Sequence, residues 1–159
     1  PYLIITDSQN KISGFASSGE LFRNFYPFSR PYFLISKIEH KLNQLLINMG
    51  FNDEDYLKQI KESERTRRLK HVRSGPGILT LGEKIKVLVN EDNQLNKIPN
   101  YSIRIKFKDL VAEVDNPSLH DSRNNILHYR TLKPTPDQIQ SLEISIIKIN
   151  QLLNLISSQ

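Results

Sequence analysis

Apolar positions recur at helical spacing along most of this chain. Between 136 and 156, Ile139, Leu142, Ile146, Ile149, Leu152, Leu153 and Ile156 line one face. Thr135 stands where an N-cap belongs, with Pro136 at the first helical position. Residues 32–49 carry a second stripe of Phe33, Leu34, Ile38, Leu42, Leu45, Leu46 and Met49, closed by Gly50, a natural C′ residue. Asp53 predicts the cap of a third helix over about 54–72, which Ser74-Gly75-Pro76-Gly77 must end. Thr80 followed three residues later by Glu83 is a capping box, and Leu81, Ile85, Leu88 and Val89 continue it. Residues 90–103 are polar and contain Pro99, which predicts an irregular connection. Phe107, Leu110, Val111 and Val114 predict another helix. Asn116 and Pro117 predict the cap and first residue of a short one, and Lys133-Pro134-Thr135-Pro136 breaks the chain after it. Over 30–159 this is an α-helical bundle, with the two longest stripes as its spine.

The front of the chain follows a different rhythm. Residues 2–6 and 12–16 read as strands joined by the turn formers Asp7-Ser8-Gln9-Asn10-Lys11, hence a hairpin. Ser18 predicts the cap of a helix that starts near Gly19 and carries Leu21, Phe22 and Phe25; Pro27 and Pro31 predict its end. Residues 1–29 are thus expected to form a β-β-α segment too small to bury a core alone. The expected fold class is mainly α: a helical bundle with a short N-terminal β-hairpin/helix appendage.

Composition narrows the partners. The formal net charge of +5 and pI near 9.4 favour an anionic partner, of which nucleic acid is the commonest. The absence of Cys excludes disulfides and thiolate metal sites and fits a cytoplasmic protein. No apolar run is long enough for a bilayer, so no membrane is expected among the partners. The start lacks both an initiator Met and a signal-peptide pattern, and the expectation is a piece of a longer protein.

The chemistry concentrates on Ser122-Arg123-Asn124-Asn125-Ile126-Leu127-His128-Tyr129. In RNA cleavage by the adjacent 2′-OH, a base takes the hydroxyl proton, an acid protonates the departing 5′ oxygen, and positive charge steadies the phosphorane oxygens. Histidine suits the proton transfers, worth roughly 10²–10⁴-fold, and arginine the charge. Asn124 and Asp121 precede His128 by one and two helical repeats and share its face. Arg123 lies about 140° around the helix from His128, within reach only through its long side chain. Arg65, Arg67, Arg68, Lys70 and Arg73 form a basic run able to funnel RNA, partly balanced by Glu62 and Glu64. Glu39 is a candidate to face the motif helix and fix Arg123. No metal site and no cofactor is expected: His120, Asp121 and His128 lack a second acidic cluster to complete a ligand set.

Arg123-Asn124-Asn125-Ile126-Leu127-His128, ahead of a long final helix, resembles the R-x4–6-H motif of the HEPN domain. Phe33-Leu34-Ile35-Ser36-Lys37-Ile38-Glu39 and Leu79-Thr80-Leu81-Gly82-Glu83 support the likeness, which covers roughly 30–159. The resemblance implies a metal-independent endoribonuclease, usually homodimeric, with Arg123, Asn124 and His128 catalytic. It implies a role as a toxin or in phage defence, with an antitoxin or regulatory partner. Other members bind RNA or a protein without cleaving. In one antitoxin-paired branch the motif continues as His-x-Tyr; here Tyr129 follows His128 directly.

Ile4 to Leu21, with Gly14, Ser17, Glu20 and Leu21 in place, resembles the second half of a CBS (cystathionine-β-synthase) motif. In that pattern Ser17 and Glu20 occupy positions that touch an adenine nucleotide, but Ser replaces Thr and Glu replaces Asp. The two functional expectations are therefore a HEPN-type endoribonuclease, or a non-catalytic RNA- or protein-binding module regulated by a nucleotide-sensing CBS region.

Overall fold

The computed structural model describes residues 2–72, 74–115, 117–127 and 134–158. Strands β1 (Tyr2–Thr6) and β2 (Ile12–Ser17) precede helices α1 (Ser18–Asn48), α2 (Asp53–Lys58), α3 (Glu62–Leu69), α4 (Leu81–Val89), α5 (Glu91–Lys97), α6 (Tyr101–Val114), α7 (Pro117–Leu127) and α8 (Pro136–Ser157). The fold is mainly α, a helical bundle with a two-stranded antiparallel hairpin at its start. Among the described residues no helix is long and apolar enough to cross a membrane.

The hairpin turn is built by Asp7, whose Oδ1 accepts from the backbone N–H of Gln9 at 2.8 Å and of Lys11 at 3.0 Å. Asn10 takes the left-handed conformation the turn requires, at φ 60°. Ile4 then pairs with Phe15 and Ile5 with Gly14.

The break expected at Pro27 and Pro31 is absent, and α1 runs for 31 residues through both. Each proline removes one helix hydrogen bond, at a cost of roughly 3 kcal/mol in a helix interior. Tertiary contacts oppose that cost. Pro31 is buried, Arg30 pairs with Glu143 of α8, and the Tyr32 hydroxyl donates to the Ile126 carbonyl of α7 at 3.3 Å. The helix therefore runs across positions 29 and 30 and joins the hairpin to the bundle. Its cap is Ser17 rather than Ser18, in a reciprocal box with Glu20.

Helices α1 and α8 form the spine, packing on each other more extensively than any other helix pair, and α6 and α7 also lie against α8. Ile38, Leu42, Leu45 and Leu46 meet Phe107 and Val111, Leu119 and Ile126, and Leu142, Ile149 and Leu152 in one core.

Two other expectations change. The helix expected over 54–72 is divided, with Asn52 rather than Asp53 as its cap; the chain turns at Gln59–Lys61 and buries Ile60. Asp53 instead accepts from the Gly75 N–H across the loop, at 2.7 Å. The connection expected over 90–103 contains α5, capped by Asn90, and the start of α6, capped by Asn100. Helix α5 is held by a polar side chain: buried Gln94 donates from Nε2 to the Leu88 carbonyl at 2.7 Å.

Candidate functional site

Helix α7 turns Leu119, Ser122 and Ile126 into the core, a spacing of three and four residues that makes one face. Arg123 follows Ser122 and therefore lies at the rim of that face, its side chain 25% exposed. Helix α1 runs beside it. Tyr32 ties the end of α7 through the Ile126 carbonyl, one of the acceptors a helix terminus leaves open. Two turns further along α1, Glu39 approaches Arg123, with Oε1 3.8 Å from Nη2.

The Arg123 guanidinium is sparsely engaged. Nη1 donates to Asn124 Oδ1 at 3.2 Å, the Glu39 contact is longer than a hydrogen bond, and buried Nε has no partner among the described residues. A guanidinium carries five N–H donors in a planar fork suited to a carboxylate or a phosphate. Among the described residues, most of that capacity at Arg123 is unused.

A third charge comes from α4. Lys84 is 3% exposed, and burial pulls its ammonium pKa down, with Glu39 opposing the drop and Arg123 adding to it. Helices α1 and α7 thus bring Glu39 and Arg123 within 3.8 Å, and the buried Lys84 of α4 feels both charges. The start of α4 is well anchored. Thr80 and Glu83 form the expected capping box, and Arg68 Nη1 reaches Glu83 at 2.5 Å while its other terminal nitrogen pairs with Glu64. Burial pushes the Glu83 carboxyl up, but the hydrogen bonds from Arg68 and Thr80 outweigh it and leave the carboxyl below its ordinary range.

The other predicted residues divide clearly. His128, Tyr129 and Arg73 lie outside the described residues. Asp121 is exposed on α7. The described members of the basic run differ in their engagement. Arg68 is committed to Glu64 and Glu83, and Arg65 donates from Nε to the Ile60 carbonyl at 3.1 Å, closing the turn between α2 and α3. Arg67 and Lys70 are exposed. Ser17 and Glu20 are engaged with each other: the Glu20 carboxylate accepts from the Ser17 N–H and hydroxyl, both at 2.9 Å, which holds its pKa low. These bonds leave the pair serving as a helix cap.

Lys84 is the residue that motif reading passed over. Its signal was present: it stands three residues after Leu81 and four before Leu88, on the buried stripe of α4, where a lysine is out of place. Compared with family models, with curated proteins and with solved structures, the chain matches none.

Proposed function

We propose that this chain is a HEPN-like ribonuclease module that cleaves RNA by 2′-OH attack without a metal. The observation that supports the reading is the under-engaged Arg123 guanidinium, oriented by Glu39 and Asn124 at the rim of α7. In this reading Arg123 clamps the non-bridging phosphate oxygens, where charge builds up as the phosphorane forms. His128 takes the proton from the 2′-OH. The 2′ oxygen bonds to phosphorus, the bond to the 5′ oxygen breaks, and that oxygen leaves as a hydroxyl after protonation by the corresponding histidine of a second copy. The products are a 2′,3′-cyclic phosphate and a 5′-OH, and no oxidant or cofactor enters the balance. Asn124 orients the guanidinium, and exposed Arg67 and Lys70 attract the RNA backbone.

The test is cleavage of end-labelled RNA in EDTA by wild-type protein, Arg123→Ala and His128→Ala. Wild-type activity lost in both variants, with the fold retained by circular dichroism, is the expected result. RNA binding that weakens with salt but never leads to cleavage would replace this reading with the non-catalytic one.

A further inference from the structure

We infer that the aromatic face of α1 is a stacking track for the bases of single-stranded RNA, leading the strand to Arg123; the inference rests on the RNA reading above and names the form of RNA the site takes. Phe25, Phe28 and Phe33 are 71%, 49% and 68% exposed, on a helix that turns Pro31, Ile35, Ile38 and Leu42 into the core. At about 100° per residue, Phe25, Phe28, Tyr32 and Glu39 fall within about 60° of one another and form one stripe along the helix, with Phe33 on its outer flank. The stripe ends at the proposed site. The Tyr32 hydroxyl donates to the Ile126 carbonyl of α7 at 3.3 Å, and Glu39 lies 3.8 Å from Arg123. At a rise of 1.5 Å per residue, Phe25 stands about 21 Å along the axis from Glu39.

Rings this exposed, clustered on one side of a helix, make an apolar surface of the kind that marks a binding site. The charge around them selects the occupant. Between residues 23 and 41, α1 carries four Lys or Arg residues, Arg23, Arg30, Lys37 and Lys41, against one carboxylate, Glu39. Arg30 is held by Glu143 and Glu39 faces Arg123, so the exposed charge that remains there, on Arg23 and Lys37, is positive. A second copy of the chain docked here about a two-fold axis would set this face against itself and bring like charges together. A single strand of RNA meets both features: its phosphates pair with the cations, and its bases, each with a π-face, stack on the rings. A duplex keeps its bases stacked on one another and offers this face only phosphates and hydroxyls.

Fluorescence anisotropy with 2′-O-methyl oligouridine of about eight nucleotides tests this, because the methyl group blocks the attacking hydroxyl and binding is read without cleavage. An abasic oligomer with the same phosphates is the control. The base-bearing strand should bind about tenfold tighter than the abasic one. Phe25→Ala and Phe33→Ala should each weaken it about five- to tenfold and leave the abasic affinity and the melting curve unchanged, since both rings lie largely in solvent. Phe33→Tyr, which keeps the ring, should bind within about twofold of wild type. Equal affinity for the two oligomers, or alanine variants that bind as tightly as wild type, overturns the inference and leaves the ribonuclease reading standing. Sedimentation showing a dimer for the wild type and a monomer for Phe33→Ala, with base-bearing affinity unchanged, overturns it too and assigns the face to a second copy. Base-dependent binding that is lost with the rings, in wild-type protein that leaves unmodified RNA intact in EDTA, supports the track and removes the ribonuclease reading instead.

Discussion

Replacing Arg123 with Met should leave the protein as stable as wild type while abolishing its proposed chemistry. The substitution removes a buried Nε–H that has no acceptor among the described residues, a gain of about 1–3 kcal/mol for the variant. Against it stand two losses. The 3.8 Å pair with Glu39 joins side chains 25% and 37% exposed, and solvent screening limits it to about 0.2–1 kcal/mol. The 3.2 Å hydrogen bond to Asn124 is worth about 0.5–1.5 kcal/mol. At the midpoints of these ranges gain and losses cancel to within about 1 kcal/mol. In a chain of this size 1 kcal/mol moves Tm by about 2–4 °C, so Tm should stay within about 4 °C of wild type. Cleavage by the same preparation should fall roughly 10²–10³-fold. Thermal melts and urea titrations followed by circular dichroism, run beside the RNA assay, measure both quantities. A Tm lowered by about 10 °C would refute the reasoning, because a loss of that size marks a structural buried ion pair.

The remaining predictions concern the supporting frame. Arg68→Met should cost about 1.5–3 kcal/mol through its link to Glu83, where both side chains are only 19% exposed, and urea unfolding measures it. The folded-state pKa values of Glu64 and Glu83 lie below their ordinary 4.5, so the stabilisation is present above that pH and is lost as pH falls through the lowered values. Arg68→Met should therefore raise the midpoint of acid unfolding, and an unchanged midpoint would contradict the assignment. Arg67→Ala and Lys70→Ala should each flatten the salt dependence of RNA binding by roughly 0.7 in the log–log slope, while leaving the melting curve in place. Ser17→Ala should speed hydrogen exchange in the first turns of α1, at a cost of about 1 kcal/mol, without changing RNA cleavage.

The elements read correctly from sequence are those whose signals are local. The stripe of α8, its Thr135 cap and the Thr80–Glu83 box each lie within a few residues and need no partner to be seen. Helix α1 was misread because proline is a local veto and its compensation is distant: Arg30 finds Glu143, and Tyr32 finds Ile126. Helix α5 gave no apolar signal because its buried residue is Gln94, whereas its one leucine, Leu95, is 53% exposed. The candidate site divides the same way. Arg123 and Asn124 are legible as a motif, and Glu39 as the acid on the partner helix. The link from Arg68 to Glu83 crosses from α3 to α4 and is invisible in a basic run, whereas its i,i+4 partner Glu64 is local and legible there. Lys84 was legible in principle from its place on the stripe of α4, but lysine is normally discounted as a solvated head on an apolar stem.

The central claim is that the Arg123 guanidinium acts on an RNA phosphodiester. Its most direct test is the rate and end chemistry of RNA cleavage in EDTA by wild-type and Arg123→Met proteins of matched Tm. The account predicts 2′,3′-cyclic phosphate ends from the wild type and almost none from the variant. Equal cleavage by the two proteins, or a wild type that leaves RNA intact, would contradict it.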